Sequence, residues 1–317
     1  MKDFSLGVVA HHIPFPCYRL FPSDFAQMKD AGLSAIEVDL TWRLIEPEPD
    51  VFDFSFYDEL VAQARAHGIK LLAKIGNGYN GSRPTVPDWL LSLSNEEYLL
   101  HLERYARRTA LRYREDVLAF ALENEANISH WHVGGGWRQG EWGEERVLSL
   151  WSTLAKAIGE AAPGVERVLS LAAVEDWPRW VLMAQERLLF EALGLQIYPC
   201  IAGPEPERAL EAKEAFAQAL ALCPALWVLE TGYHTFGRTE EDQARFVEIM
   251  ARCARDSGAK GVFFYEYLDG PEEPDLPIPD FGQERCFGLV RNMGDEGSHV
   301  PKPAWEALCR AAKTTAL

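Results

Sequence analysis

Eight short apolar runs recur along the chain, alternating with longer stretches of helical period, and this alternation restricts the fold more than any other feature. The runs are Phe4–Ala10, Ala35–Leu40, Lys70–Ile75, Val117–Leu122, Arg167–Ala172, Leu195–Tyr198, Leu226–Glu230 and Gly261–Tyr267. Between them, Ser23–Ala31, Phe56–His67, Glu96–Tyr113, Glu144–Ala161, Arg208–Leu222 and Glu240–Ser257 repeat apolar residues every three or four positions, the period of an amphipathic helix. His67-Gly68, Pro163-Gly164, Pro224 and Ser257-Gly258 punctuate the joins. Strand and crossover helix repeated eight times predict a closed (β/α)₈ barrel. Such barrels take about 250 residues plus loops, so residues 1–317 are read as one catalytic domain. An open doubly wound sheet would carry a glycine-rich phosphate turn after its first strand, whereas here that strand runs into Ala10-His11-His12-Ile13-Pro14. Gly134-Gly135-Gly136 reads as a loop, and there is no Walker, HExxH or GxSxG motif.

Charge and cysteine usage narrow the partners. With 48 acidic against 31 basic side chains, the net charge of −17 repels phosphate backbones and anionic lipid, so neither nucleic acid nor membrane is an expected partner. No apolar run nears the roughly 18 residues of a membrane span. The six cysteines, at 17, 200, 223, 253, 286 and 309, form no CxxC pair, and the N-terminal stretch has no signal-peptide pattern. A reduced, cytoplasmic protein is the expectation. Sequence carries no information on its oligomeric state.

In a (β/α)₈ barrel the chemistry sits where strands end and the following loops begin. Reading those ends in order gives His11 and His12, Asp39 and Trp42, Lys74 and Asn77, Glu123-Asn124-Glu125, Glu175-Asp176-Trp177, Tyr198, Glu230, and Tyr265 with Glu266. Ionisable groups at the mouth of an apolar barrel are costly unless paired or useful. Glu125 and Glu230 follow the fourth and seventh strands, which lie nearly opposite in an eight-stranded ring, so their carboxyls face across the mouth. Two such carboxyls about 5–5.5 Å apart cleave a glycosidic bond with retention, one as acid and the other as nucleophile. Unequal burial and mutual repulsion separate their proton affinities, so no metal or cofactor is needed. Glu123 is a rival to Glu125, because strand alternation points both to one side.

Asn124-Glu125 after the fourth strand, Glu230 after the seventh, and Trp42-Arg43-Leu44-Ile45-Glu46-Pro47 running on to Val51-Phe52-Asp53-Phe54 resemble the clan A retaining glycoside hydrolases, which include β-galactosidases, β-xylosidases and cellulase-like families. The resemblance spans essentially the whole chain. It implies Glu125 as general acid/base, Glu230 as nucleophile, Asn124 as a hydrogen-bond partner of the sugar 2-hydroxyl, and Tyr198 as the group that orients the nucleophile. Many clan members carry an arginine on the second strand and a tryptophan at the end of the eighth; this chain has Ile36-Glu37-Val38-Asp39 and Tyr265-Glu266-Tyr267 there.

Other rim residues complete the expected carbohydrate site. His11, His12, Asp39, Trp42, Asn77, Tyr265 and Glu266 are candidates for substrate contact, and Trp131 and Trp177, among the indoles 131, 137, 142, 177 and 180, suit stacking on sugar faces. The segment Asp269–Phe287 reads as a rim loop. Two other functions stay open. Gly32-Leu33-Ser34-Ala35-Ile36-Glu37-Val38 also resembles the second strand of metal-dependent, xylose-isomerase-like sugar isomerases, with Glu123, Glu230 and Glu266 as further ligands for a hard cation. A carbohydrate-binding barrel without catalysis is the third.

Overall fold

The computed structural model describes residues 4–10, 19–76, 87–131, 143–270, 282–293 and 299–315. Eight strands, β1 Ser5–Val9, β2 Ala35–Asp39, β3 Lys70–Ile75, β4 Val117–Leu122, β5 Glu166–Ala172, β6 Ala192–Gln196, β7 Leu226–Thr231 and β8 Gly261–Phe264, pair in parallel and in chain order. The ring closes through β8 and β1, with Ser5 opposite Gly261 and Val8 opposite Phe264. The expected (β/α)₈ barrel is the observed fold.

Around it lie α1 Pro22–Asp30, α2 Trp42–Ile45, α3 Ser55–Ala66, α4 Asn95–Tyr113, α5 Glu144–Ala161, α6 Trp177–Gln185, α7 Ala212–Leu222, α8 Glu240–Asp256 and α9 Pro303–Thr315. Local chemistry fixes their starts. The Ser94 hydroxyl accepts from the Glu97 amide while the Glu97 carboxylate accepts from the Ser94 amide at 2.9 Å, a reciprocal cap that starts α4. The Thr239 hydroxyl caps α8 by accepting from the Asp242 amide.

The observed elements depart from the sequence expectation in places. β6 begins at Ala192, three residues before the expected Leu195, because Gly194 hides the strand pattern. β8 stops at Phe264 instead of Tyr267. The run at 208–222 opens as a 3₁₀ turn, Pro206–Glu211, before α7. Helices α6 and α9 were not anticipated, and β9 Val290–Arg291 and β10 Val300–Pro301 form a small ribbon. Of the expected rim loop Asp269–Phe287, residues 271–281 lie outside the described residues.

Side-chain parity along the strands divides the core into two layers. Ile36, Val38, Leu71, Ala73, Phe120, Leu122, Leu193, Leu195 and Val228 pack outward against the helices. Val9, Ala35, Leu72, Ala119, Ala121, Val168, Ala192, Trp227, Leu229 and Phe263 fill the barrel interior. By the same alternation Glu37 and Asp39 on β2, Lys74 on β3, Ser170 on β5 and Gln196 on β6 face inward, above those apolar residues.

Close packing of the interior layer requires glycine at position 194, where an added Cβ would lie 2.4 Å from Leu229 Cδ1 and 2.7 Å from Val168 Cγ1. Gly194→Ala is expected to lower stability by about 1–3 kcal/mol, as overpacking of a filled core does. A urea-unfolding midpoint unchanged from wild type would contradict this packing.

Candidate active site

Glu230 enters the barrel through an irregularity in its own strand. Trp227 and Leu229 face inward and Val228 outward, so simple alternation would send Glu230 outward as well. The register of β7 shifts against both neighbours, between the β6 partners Leu195 and Gln196 and between Val228 and Thr231 opposite β8. That shift turns Glu230 inward, as strand irregularities beside active sites do. Its Oε1 accepts from the Lys74 ammonium, and its Oε2 accepts from the Tyr198 hydroxyl at 2.8 Å. Tyr198 itself is neutral: burial, and then the Glu230 charge, raise its pKa well above the ordinary phenol.

Lys74 is 3% exposed and is shared, its Nζ lying 2.5 Å from Glu37 Oε1. Burial pushes a lysine toward neutrality, but the charges of Glu230, Glu37 and Asp39 outweigh it and hold this one protonated above its usual range. Glu37 is shifted up, first by burial and then by Glu230 and Asp39, with Lys74 opposing. The second strand, which lacks the arginine of many clan members, carries an acid here, and the cation comes from the neighbouring β3.

Glu125 lies just past β4, half-buried, in the left-handed backbone region with φ +48°. Few non-glycine residues adopt that conformation, and they concentrate at functional sites. Desolvation first, and then the charges of Glu230 and Glu284 against a lowering by Lys74, raise its pKa to about 8. The charge of Glu230 therefore acts on Glu125 across the rim.

The rival Glu123, also left-handed with φ +65°, is buried against Gly76 on the other side of the strand. Its charge acts on the phenols of Tyr98 and Tyr105 beneath helix α4. Asn124, between the two, accepts from Gln196 Nε2 at 2.8 Å, and that amide also donates to Ser170 Oγ at 2.9 Å. Three strands thus fix the Asn124 side chain.

One wall is aromatic. The ring of Tyr198 meets Tyr265 edge-on at 6.1 Å and Phe287 at 5.9 Å, and Tyr265 meets Phe287 at 5.3 Å. Glu266, buried at the end of β8, is pushed up by burial and then by Glu284 and Asp269, with Glu230 a smaller contributor and Lys302 opposing. Asp39 faces the same space, and its Oδ1 is buried with no hydrogen-bond partner among the described residues.

The structure brings Glu125, Glu230, Asn124, Tyr198, Asp39, Tyr265 and Glu266 to one rim. Trp42 is not there: it is fully buried, stacks on Tyr105 at 4.8 Å and donates to Glu46 Oε2 at 2.9 Å. The short helix α2 that carries it turns the indole outward from the barrel. Trp177 likewise starts α6 with its ring packed in the core, 5% exposed, and Trp180 packs on Trp151. His11, His12, Asn77 and the indoles at 137 and 142 lie outside the described residues, as does the side chain of Trp131.

Lys74, Gln196 and Glu284 had been given no role from sequence. Polar residues at inward positions of apolar strands were the available signal for the first two. Among the described residues no group of three or more His, Cys, Asp or Glu is placed to hold a metal ion. Glu37, the ligand suggested by the isomerase resemblance, is bound to an ammonium.

Comparison with known proteins finds matches in sequence to part of the chain and in fold to nearly all of it. A family model described as Beta-galactosidase matches residues 18–131. A beta-1,4-xylanase of Dictyoglomus thermophilum is 29% identical over 127 residues, 39% of this chain and 33% of its own length. A beta-galactosidase of Thermus thermophilus is 31% identical over 104 residues, 32% of this chain and 15% of its own. The matches thus span a third or less of these relatives. Among solved structures, the GH5_18 protein of Streptomyces cattleya in complex with GlcNAc has a TM-score of 0.81 at 15% identity, covering 99% of this chain and 81% of that one. An exo-beta-1,4-mannosidase of Opitutaceae bacterium strain TAV5 has a TM-score of 0.76 at 16% identity, covering 97% and 59%.

Trp42→Ala is expected to cost about 3–5 kcal/mol of stability, the usual range for deleting a core aromatic. Denaturant unfolding checks this; full stability together with a weakened sugar affinity would return Trp42 to the binding site.

Proposed function

We propose that this chain, which fits the clan A (β/α)₈ glycoside hydrolases, is a retaining β-glycosidase working by double displacement. One observation carries the reading: Glu230 is held between an ammonium and a phenol hydroxyl, while Glu125 across the rim has its pKa raised to about 8. The first arrangement suits a carboxylate that attacks, and the second suits an acid still protonated at neutral pH. In the first step a Glu230 oxygen bonds to the anomeric carbon, the bond to the leaving oxygen breaks, and that oxygen takes the proton of Glu125. In the second, Glu125 removes a proton from water, which attacks the anomeric carbon and releases Glu230 as carboxylate.

Asn124, locked by Gln196, is the donor for the sugar 2-hydroxyl, and Tyr265 with Phe287 supplies an apolar face. Asp39 and Glu284 add acidic groups around the nucleophile. Such surroundings favour a neutral sugar over a phosphorylated or uronic one. We assign residues 1–317 to one catalytic domain. The free thiols at Cys200, Cys223, Cys253, Cys286 and Cys309 support a cytoplasmic location. No helix among the described residues is long and apolar enough to cross a membrane. The isomerase reading is weaker, since the Lys74 ammonium occupies the position between Glu37 and Glu230 where a cation would be needed.

A panel of nitrophenyl β-glycosides identifies the sugar, and the matching 2-deoxy-2-fluoro glycoside is expected to leave a covalent adduct on Glu230, read by peptide mass spectrometry. Hydrolysis without any adduct, or an adduct on another residue, would overturn the assignment. Glu125→Ala should lower kcat/KM by about 10²–10⁴ on substrates with poor leaving groups, yet far less on dinitrophenyl glycosides, which need no proton. Because Glu125 must be protonated in the first step and its pKa is raised, kcat/KM should fall as pH rises through about 8. A basic limb unchanged in Glu125→Gln would assign it to another group.

A further inference from the structure

The ammonium of Lys74 meets two carboxylates, and the proposed hydrolysis requires only one of them. Glu37 is 1% exposed, lies 2.5 Å from the Lys74 Nζ through Oε1, and has its second oxygen, Oε2, buried with no hydrogen-bond partner among the described residues. A buried carboxylate so placed costs desolvation energy, which only a compensating charge offsets. We infer that Glu37 is the counter-ion that Lys74 keeps while Glu230 is bonded to the sugar, making Glu37 a positioning residue that stabilises the covalent intermediate. This rests on the reading of Glu230 as nucleophile.

Charge bookkeeping leads there directly. As the bond from Glu230 to the anomeric carbon forms and the leaving oxygen departs with the Glu125 proton, Glu230 changes from an anion to a neutral ester. Lys74 remains charged and 3% exposed, so it would be left in a low-dielectric site beside a neutral group. Glu37 is already at its other side. In the free protein the Glu230 charge is among the causes that push the Glu37 pKa up. Esterification removes that repulsion, which strengthens the pairing of Glu37 with Lys74 when the intermediate forms. Asp39, from the same strand, is partly exposed and is a weaker neighbour of the ammonium. When water regenerates the Glu230 carboxylate, the ammonium is shared again.

This role moves the two half-reactions in opposite directions, which simple damage to the fold would not do. Using the whole chain and the dinitrophenyl 2-deoxy-2-fluoro glycoside of the sugar found active, adduct formation is followed by loss of activity and by mass. Adduct breakdown is followed by recovery of activity after excess reagent is removed. Glu37→Gln strands the ammonium in the intermediate alone, so formation should slow by about tenfold or more, the effect of one pKa unit of lost charge pairing, while breakdown speeds up. Glu37→Asp keeps the charge but withdraws it, and should show the same opposite changes at smaller size; it carries the test should Glu37→Gln fail to fold. Equal slowing of both half-reactions, or no change in either, overturns the role of Glu37. Wild-type protein that forms no adduct on Glu230 overturns the nucleophile assignment beneath it.

Discussion

A single buried ammonium organises this site. Lys74 sits inside the upper end of the barrel with carboxyl groups on two sides, and its charge offsets part of the cost of burying them. Its charge on β3 links β2 to β7 across the interior, so the electrostatics of the site are tied to the closed ring. The two glutamates at the rim stand differently toward this ammonium. Glu230 bonds to the ammonium directly, whereas Glu125 is affected first by desolvation and then by the charge of Glu230.

The scaffold and the chemistry make different demands on the backbone. Strict alternation suffices for Glu37, Lys74, Ser170 and Gln196, which replace apolar residues at inward positions of their strands. The acidic residues at the ends of β4 and β7 break regularity: Glu230 is turned inward by a register shift in β7, and Glu123 and Glu125 both adopt left-handed conformations after β4. Surrounding packing must hold such positions, since the backbone does not favour them. The rigid barrel supplies that support, and the hydrogen-bonded chain Ser170–Gln196–Asn124 extends it to the residue beside the acid.

The fold was legible in the sequence because eight apolar runs and intervening helical periods are a repeated, redundant signal. The positions of Glu125 and Glu230 were legible because charged residues ended apolar runs. What escaped depended on contacts between distant segments. The role of Lys74 arises from Glu37 and Glu230, the latter 156 residues away, so its inward position on an apolar strand marked it as buried without naming its partners. Glu123 and Glu125 share strand parity, yet their left-handed backbones and the space over Gly76 send them to opposite sides. Trp42 resembled a rim aromatic because it follows β2, but the short helix α2 and the ring of Tyr105 place it in the core. Helix α6, nine residues long, was too short to stand out by periodicity.

Titration of the carboxyl carbons by NMR, with glutamate carbon-13 labelled, tests the electrostatic coupling most directly. One resonance, assigned by its loss in Glu125→Gln, should titrate near pH 8 in the wild-type protein and clearly lower in Glu230→Gln, where the opposing charge is gone. A Glu125 resonance that titrates in the ordinary glutamate range, and does so identically in both proteins, would mean that the two carboxyls neither face one another nor divide the work of acid and nucleophile.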